Sequence, residues 1–249
     1  QNVKASRSGR DRPQIFPTIS SRDVNLYLSD ILPGLTAKVF RTHHATVAVQ
    51  DSLEQSGVDR TDPEHIKWRA ANLANLEAAV LCNHTKMAPA GWPRTRQRYK
   101  ERRQRADERV RTYHDRVKAY LEALADLRLE AREKTEAAPE ARRGKVRARY
   151  RKRIGVARRR VEGAKVQLKK ARLAKDKLRV QSSIASKKRT WNLGTSLKSY
   201  IDPRVYYRWG QAVEYDVLER YYPKALRLKF AWVRDETPEA PGEDPPPSD

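Results

Sequence analysis

Three side chains of different chemistry, scattered along the chain, could act together on one phosphate ester. Tyr200 lies in Leu193-Gly194-Thr195-Ser196-Leu197-Lys198-Ser199-Tyr200-Ile201-Asp202-Pro203-Arg204, Arg41 in Thr36-Ala37-Lys38-Val39-Phe40-Arg41-Thr42, and His84 in Leu81-Cys82-Asn83-His84. A phenol has a pKa near ~10, so at neutral pH it is protonated and a poor nucleophile. To attack a phosphodiester it must be aimed, lose its proton and meet a phosphate whose growing charge is neutralised. The guanidinium suits that last role, because its planar fork spans two oxygens and is always charged. Histidine can donate a hydrogen bond to the same oxygens, and losing one such donor typically costs about 3–4 kcal/mol in the transition state. Attack by Tyr200 would exchange one phosphodiester for another of similar energy, so resealing would need no ATP, no metal and no other cofactor. Each residue also has an ordinary reading. A tyrosine near a helix start is commonly a packed amphipathic side chain, Arg41 and Lys38 could be surface cations, and His84 could favour a helix C-terminus.

The charge distribution narrows the partner. The 249 residues carry a net charge of +23. Residues 94–190 hold 35 Lys/Arg against 12 Asp/Glu, so the whole excess lies in the middle of the chain and the remainder is neutral. A neutral body with a basic arm is the profile of a polyphosphate binder. Arg151-Lys152-Arg153, with Arg142-Arg143 and Arg158-Arg159-Arg160, is too one-sided for an ordinary solvated face and is expected to bind phosphates with an affinity that falls with salt. The one cysteine, Cys82, excludes an internal disulfide and suits a reducing compartment. No apolar run approaches the ~20 residues of a membrane span, and no secretory signal opens the chain.

The elements that must position these residues read as helices. Ser21 is placed to cap a helix with Val24, Leu28, Ile31 and Leu32 on one face, ended by Pro33-Gly34. A second helix is expected from about Thr36 to Leu53 with Val39, Phe40, His43 and Val47 buried, which turns Arg41 roughly 100–200° away from that face. Asp62-Pro63 is a start signal for a third helix, whose apolar stripe would be Ile66, Ala70, Leu73, Leu76 and Val80. Glu77 sits at its edge, and the helix stops near His84. From Arg94 a heptad seam runs through Val110, Tyr113, Val117, Tyr120, Leu124, Leu127 and Ala131. It resumes after Pro139 with Ile154, Ala157, Val161, Ala164, Leu168 and Ala171. That pattern predicts an antiparallel hairpin of arms about 44 residues and ~65 Å long. Asp202-Pro203 starts a short helix that Gly210 can end, and Tyr222-Pro223 begins a last one bearing Leu226, Phe230 and Val233. Trp191, Trp209 and Trp232 read as core or interface anchors.

Arg, His and Tyr in this order, with a long basic helical insert before the Tyr, resemble the C-terminal part of a eukaryotic-type type IB DNA topoisomerase. The resemblance covers about residues 16–92 and 187–233 and includes the closing Lys229-Phe230-Ala231-Trp232. It implies that Tyr200 is the nucleophile, that Arg41 and His84 are the second arginine and the histidine of the site, and that Lys38, Asn83, Thr195, Lys198 and Ser199 lie against DNA with Arg151, Lys152 and Arg153. It implies a 3′-phosphotyrosyl link, release of supercoils by rotation of the free 5′ end, and no cofactor. The family's first arginine and its lysine, the acid for the departing 5′ oxygen, have no counterpart here. A partner carrying them, an N-terminal half of the enzyme, is therefore expected besides double-stranded DNA. Ser199 stands where many members have Asn, and Leu197-Lys198 reverses the common order, which bears on local DNA contacts.

The expected architecture is mostly α. It comprises a flexible arm (1–19), a helical part of a catalytic domain (20–93), a basic coiled-coil linker (94–186), a tyrosine-bearing C-terminal segment (187–234) and a disordered acidic, Pro-rich tail (235–249). DNA association, without a membrane, is the expected location: nucleoid or cytoplasm in a prokaryote, which the Arg-rich composition favours, or nucleus in a eukaryote. The rival reading is a non-catalytic subunit that binds nucleic acid and keeps the motifs.

Overall fold

The computed structural model describes Phe16 and residues 18–235. The expected arm over 1–19 and the expected tail over 235–249 fall almost wholly outside the described residues. Among the latter the chain is α-helical, apart from an isolated bridge between Thr85 and Trp191. It divides into two compact units: the described residues up to Met87 with those from Lys188, and Ala88–Lys187.

The first unit opens with α1 (Ser21–Ile31), α2 (Ala37–Glu54) and α3 (Glu64–Leu81). Ser20, one residue before the expected cap, starts α1. Its side chain accepts from the Asp23 N–H while the Asp23 carboxylate accepts from the Ser20 N–H, a reciprocal box that satisfies two end donors. Pro63 rather than Asp62 precedes α3. The Asp62 carboxylate instead accepts from the Asp59 N–H and closes the preceding turn.

The buried faces differ from those expected. On α2 the core residues are Ala45, Val49 and Leu53, whereas Val39, Phe40 and Val47 are exposed. On α3 Ala70 is buried as expected, but the other buried residues are Ala71, Ala74, Ala78 and Ala79 with His65, Lys67, Asn72 and Asn75; Val80 is exposed, and Ile66, Leu73 and Leu76 are only half-buried. α1 buries no residue. The physical reason is close approach. Alanines on α3 let the backbone of α2 and the aromatic side chains of the C-terminal segment come near, so the packed face is the one with small side chains rather than the one with the largest apolar residues.

After the second unit the chain returns as α6 (Leu193–Ser199), α7 (Pro203–Ala212), α8 (Val217–Arg220), α9 (Lys224–Lys229) and a 3₁₀ turn (Ala231–Arg234). Asp202 caps α7 by accepting from the Arg204 N–H at 2.9 Å, and Pro203 occupies its first turn. Gly210 does not end α7. It is buried inside the helix, where a Cβ would lie 2.5 Å from the Tyr215 carbonyl oxygen and from Val217. Glycine serves there because α8 crosses too closely for a side chain. The expected last helix splits at Phe230 into α9 and the 3₁₀ turn, with Phe230 and Val233 buried. Trp209 packs on the core, whereas Trp232 is exposed. Tyr206 is fully buried and donates to the Ala71 carbonyl at 2.9 Å. Asn75 donates to the Tyr221 hydroxyl at 2.8 Å and to the Leu193 carbonyl at 3.2 Å. Those bonds tie the C-terminal segment to α3.

The second unit is the antiparallel hairpin of α4 (Trp92–Glu136) and α5 (Glu140–Lys187). Its seam follows the heptad pattern: Leu124, Val161, Ala164, Leu168 and Ala171 are buried, with Tyr150 and Leu178 added. Tyr120 is the exception and is exposed. Polar ties fix the register. The Tyr150 hydroxyl donates to Glu130 at 2.7 Å, Arg153 joins the same carboxylate at 3.4 Å, and Lys175 pairs with Asp107 at 2.7 Å.

Candidate active site

Each of the three chemistry-bearing residues stands at a place where backbone geometry fixes it. His84 follows α3 through a C-terminal turn in which the His84 N–H donates to the Ala79 carbonyl at 2.8 Å and the Asn83 N–H to Val80 at 2.9 Å. That pair of bonds requires a left-handed residue between helix and exit, and Asn83 supplies it with φ 51°. Asn83, expected as a DNA contact, thus has a structural role in aiming His84. The His84 carbonyl then accepts from the Asn192 N–H at 2.7 Å and the Lys86 N–H donates to Thr190 at 2.9 Å, so the histidine is laced to the segment that enters α6.

Asn192 caps α6 by accepting from the Thr195 N–H at 3.3 Å. Tyr200 closes the same short helix, its N–H bonded to the Ser196 carbonyl at 2.9 Å. Thr46 of α2 holds this end from outside. Its hydroxyl donates to the Tyr200 carbonyl at 3.4 Å and accepts from the Asp202 N–H at 3.2 Å. Desolvation acts against ionisation of Asp202, yet its bonds to Arg204 prevail and hold the carboxyl below its ordinary pKa. The cap therefore stays charged at neutral pH.

The side chains converge. The His84 ring meets the Tyr200 ring edge-on, with centroids 4.6 Å apart and planes at 61°. Lys38 and Arg41, three residues apart and so on one side of α2, reach the same ring: Lys38 Nζ is 5.6 Å and Arg41 Cζ 5.1 Å from its centroid. Arg41 also donates to the Cys82 carbonyl at the end of α3. This placement differs from the expectation that Arg41 faces away from the packed side of α2. Arg41 continues the buried series Ala45, Val49 and Leu53 at steps of four, so it leaves the core at the point where the site begins.

His84 is held more firmly than its neighbours. Its Nδ1 is 2.8 Å from the hydroxyl of Ser196, which is fully buried. Burial first, and the positive charge of Arg41 second, push the imidazole pKa below its ordinary value. The ring is therefore neutral at pH 7, with one donor and one acceptor nitrogen. In the tautomer whose Nδ1 accepts from the Ser196 hydroxyl, Nε2 carries the hydrogen; that nitrogen is buried and makes no hydrogen bond among the described residues. In that form a neutral imidazole can offer an N–H to an anionic oxygen brought against it, beside the Arg41 guanidinium.

The remaining candidates divide. Lys198 and Ser199 are exposed on α6, the Lys198 carbonyl accepts from Lys229 at 3.2 Å, and Thr195 is half-buried with its N–H engaged in the cap. Arg151, Lys152 and Arg153 belong to the hairpin unit. There Arg153 stacks on Tyr150 at 4.9 Å besides pairing with Glu130, so part of its charge is used internally. Reading the residues in order misses Ser196 and Thr46. Ser196 precedes Tyr200 by one helical turn, which is a local cue, but its pairing with His84 spans 112 residues and leaves no trace in spacing.

Residues 1–117 match the family described as eukaryotic DNA topoisomerase I, catalytic core, and residues 170–240 match a C-terminal topoisomerase domain. The chain belongs to the eukaryotic DNA topoisomerase I family. Among its relatives, DNA topoisomerase 1 of Caenorhabditis elegans is 27% identical over 241 residues, covering 95% of this chain and 25% of that protein. Human mitochondrial DNA topoisomerase I is 30% identical over 234 residues, covering 94% of this chain and 34% of that protein. Human DNA topoisomerase 1 is 29% identical over 225 residues, covering 89% and 25%. The chain thus spans about a quarter to a third of the length of these relatives.

Proposed function

We propose that this chain carries the tyrosine-bearing part of an ATP-independent enzyme that relaxes supercoiled duplex DNA by cutting and resealing one strand. The supporting observation is that Tyr200, His84 and Arg41, drawn from three separate stretches, share one cluster. In this reading the Tyr200 oxygen bonds to the scissile phosphorus as the bond from phosphorus to the 5′ oxygen breaks. The phenolic proton passes to solvent, and the leaving oxygen takes a proton from an acid outside this chain. Arg41 and the His84 N–H meet the charge that grows on the non-bridging oxygens. The product is a 3′-phosphotyrosyl ester of energy similar to the bond it replaces, so the reverse attack by the 5′ hydroxyl reseals the strand.

The first arginine and the lysine acid that the family resemblance calls for would come from an N-terminal half of the enzyme. The basic hairpin would lie near the rotating duplex and retard it through phosphate contacts. The protein would then work wherever its duplex DNA resides, in the nucleoid of a prokaryote or the nucleus of a eukaryote. A nicked suicide duplex, which traps the intermediate because the 5′ end is lost, tests this. With an N-terminal half supplied, a denaturation-resistant adduct is expected for the unaltered chain and none for Tyr200→Phe. An equal adduct from both would reject Tyr200 as the nucleophile.

A further inference from the structure

The heptad series that packs the hairpin continues past its apolar part into the root. From Val110 the alternation of three and four residues runs back along α4 through Ala106, Arg103, Tyr99, Arg96 and Trp92. On α5 it runs on from Ala171 through Lys175 and Leu178 to Ser182. Leu178 is still buried, but beyond it the two helices line a cavity of about 1040 Å³ instead of a packed seam. Seam positions of a coiled coil ordinarily hold apolar side chains. Here arginine and aromatic residues alternate on α4, with Ser182 of α5 in the same lining.

The lining has five cations and one carboxylate. That carboxylate, Asp107, is already held by Lys175 at 2.7 Å. Arg96, Lys100, Arg179 and Lys187 make no ion pair and no side-chain hydrogen bond among the described residues. Like charges gathered around one cavity are relieved by an anion. Two half-buried rings stand among them: Trp92, without a ring or cation contact among the described residues, and Tyr99, met by Arg102 at 5.9 Å. A duplex backbone needs only exposed cations, and its bases, stacked on one another, cannot reach a recessed ring. A base that carries its own phosphates satisfies both halves of the lining, by stacking and by charge-assisted hydrogen bonds. An unpaired strand brings one charge per nucleotide, whereas a polyphosphate chain brings several to one end of a single ring. The volume lies at the top of the ~300–1,000 Å³ range of small-molecule sites. We infer that the root of the hairpin binds a free nucleoside polyphosphate, its base against Trp92 and its phosphates among Arg96, Lys100, Arg179 and Lys187. Such a ligand bridges α4 and α5 where the apolar seam has ended. The inference stands apart from the strand-cutting reading, since every residue of the cavity belongs to the hairpin unit.

The test titrates the full chain by calorimetry with ATP, and in parallel with tripolyphosphate, adenosine and a single-stranded oligothymidylate. One site for ATP is expected. Arg96→Ser combined with Arg179→Ser should weaken it about tenfold or more. Trp92→Leu should weaken it about fivefold or more, and Trp92→Phe, which keeps a ring, should restore most of that loss. Arg149→Ser combined with Arg159→Ser removes the same charge from α5 outside the cavity and should leave the affinity within about twofold, because distant exposed charges are screened. Helix content by circular dichroism should be the same in all variants, since the altered side chains are exposed or half-buried. Tripolyphosphate or adenosine binding as tightly as ATP would show the rings or the cations to be idle and overturn the inference. An equal loss from the Arg149 and Arg159 pair would reduce the binding to general charge. Oligothymidylate binding more tightly than ATP at the same residues would give the cavity to unpaired strands instead. The absence of ATP binding, or binding indifferent to Arg96, Arg179 and Trp92, would also refute it.

Discussion

The hairpin and the unit that holds Tyr200 are built on opposite principles. The hairpin is two long helices sharing one narrow seam, stabilised by contacts that repeat every three or four residues and by charge pairs close to it. The Tyr200 unit is stitched from remote pieces: Tyr206 on the Ala71 carbonyl, Asn75 on Tyr221 and Leu193, Ser196 on His84, Thr46 on Tyr200. The hairpin can lose a layer and keep its neighbours. In the Tyr200 unit two of these bonds, Ser196 with His84 and Thr46 with Tyr200, hold the site itself, so damage to either is felt there.

That contrast predicts effects of decreasing size. Leu168→Ala removes a buried seam side chain and should cost about 2–5 kcal/mol, read as faster amide exchange over α4 and α5 with α2, α3 and α7 unchanged. Exchange rising equally in both units would show that the two are not independent in this way. Ser196→Ala leaves the His84 Nδ1 without its partner in a buried spot and should cost about 1–3 kcal/mol. This loss should appear in α3 and α6 by the same measurement, together with a slower approach to the DNA adduct.

The smallest effect is one of pH. The folded His84 pKa lies below its unfolded value near ~6.5. As pH falls through that value the unfolded chain takes up the proton first, so the contribution of neutral His84 to stability shrinks until its own depressed pKa is reached. Urea midpoints of the Tyr200 unit should drop between pH 7 and 5 by more in the unaltered chain than in His84→Gln. The hairpin should show no such difference.

The same contrast explains what could be read from the chain alone. The hairpin was legible because Leu124, Val161, Ala164 and Leu168 face a partner offset only by a turn, and period alone fixes that face. The motif residues were legible because Arg41, His84 and Tyr200 keep their order and local context. The packed faces of α2 and α3 were not. Periodicity reports which residues prefer burial, and on α1 and α2 those residues are exposed, while the contacts actually made use alanines that score weakly on any apolar scale. Nor could spacing show that Asn83 serves as a left-handed hinge for His84, or that Gly210 yields to a crossing helix, since both depend on what approaches from elsewhere.

The proposed chemistry requires that one phenolic oxygen forms the bond to DNA within the Arg41 and His84 cluster. The trapped adduct, formed with an N-terminal half supplied, can be digested and the residue that retains a nucleotide located by mass spectrometry. A single modified peptide is expected, with the nucleotide 3′-phosphate esterified to Tyr200, and a sharp loss of that peptide in Arg41→Ala. A nucleotide attached to any other residue, or undiminished modification in Arg41→Ala, would refute the assignment.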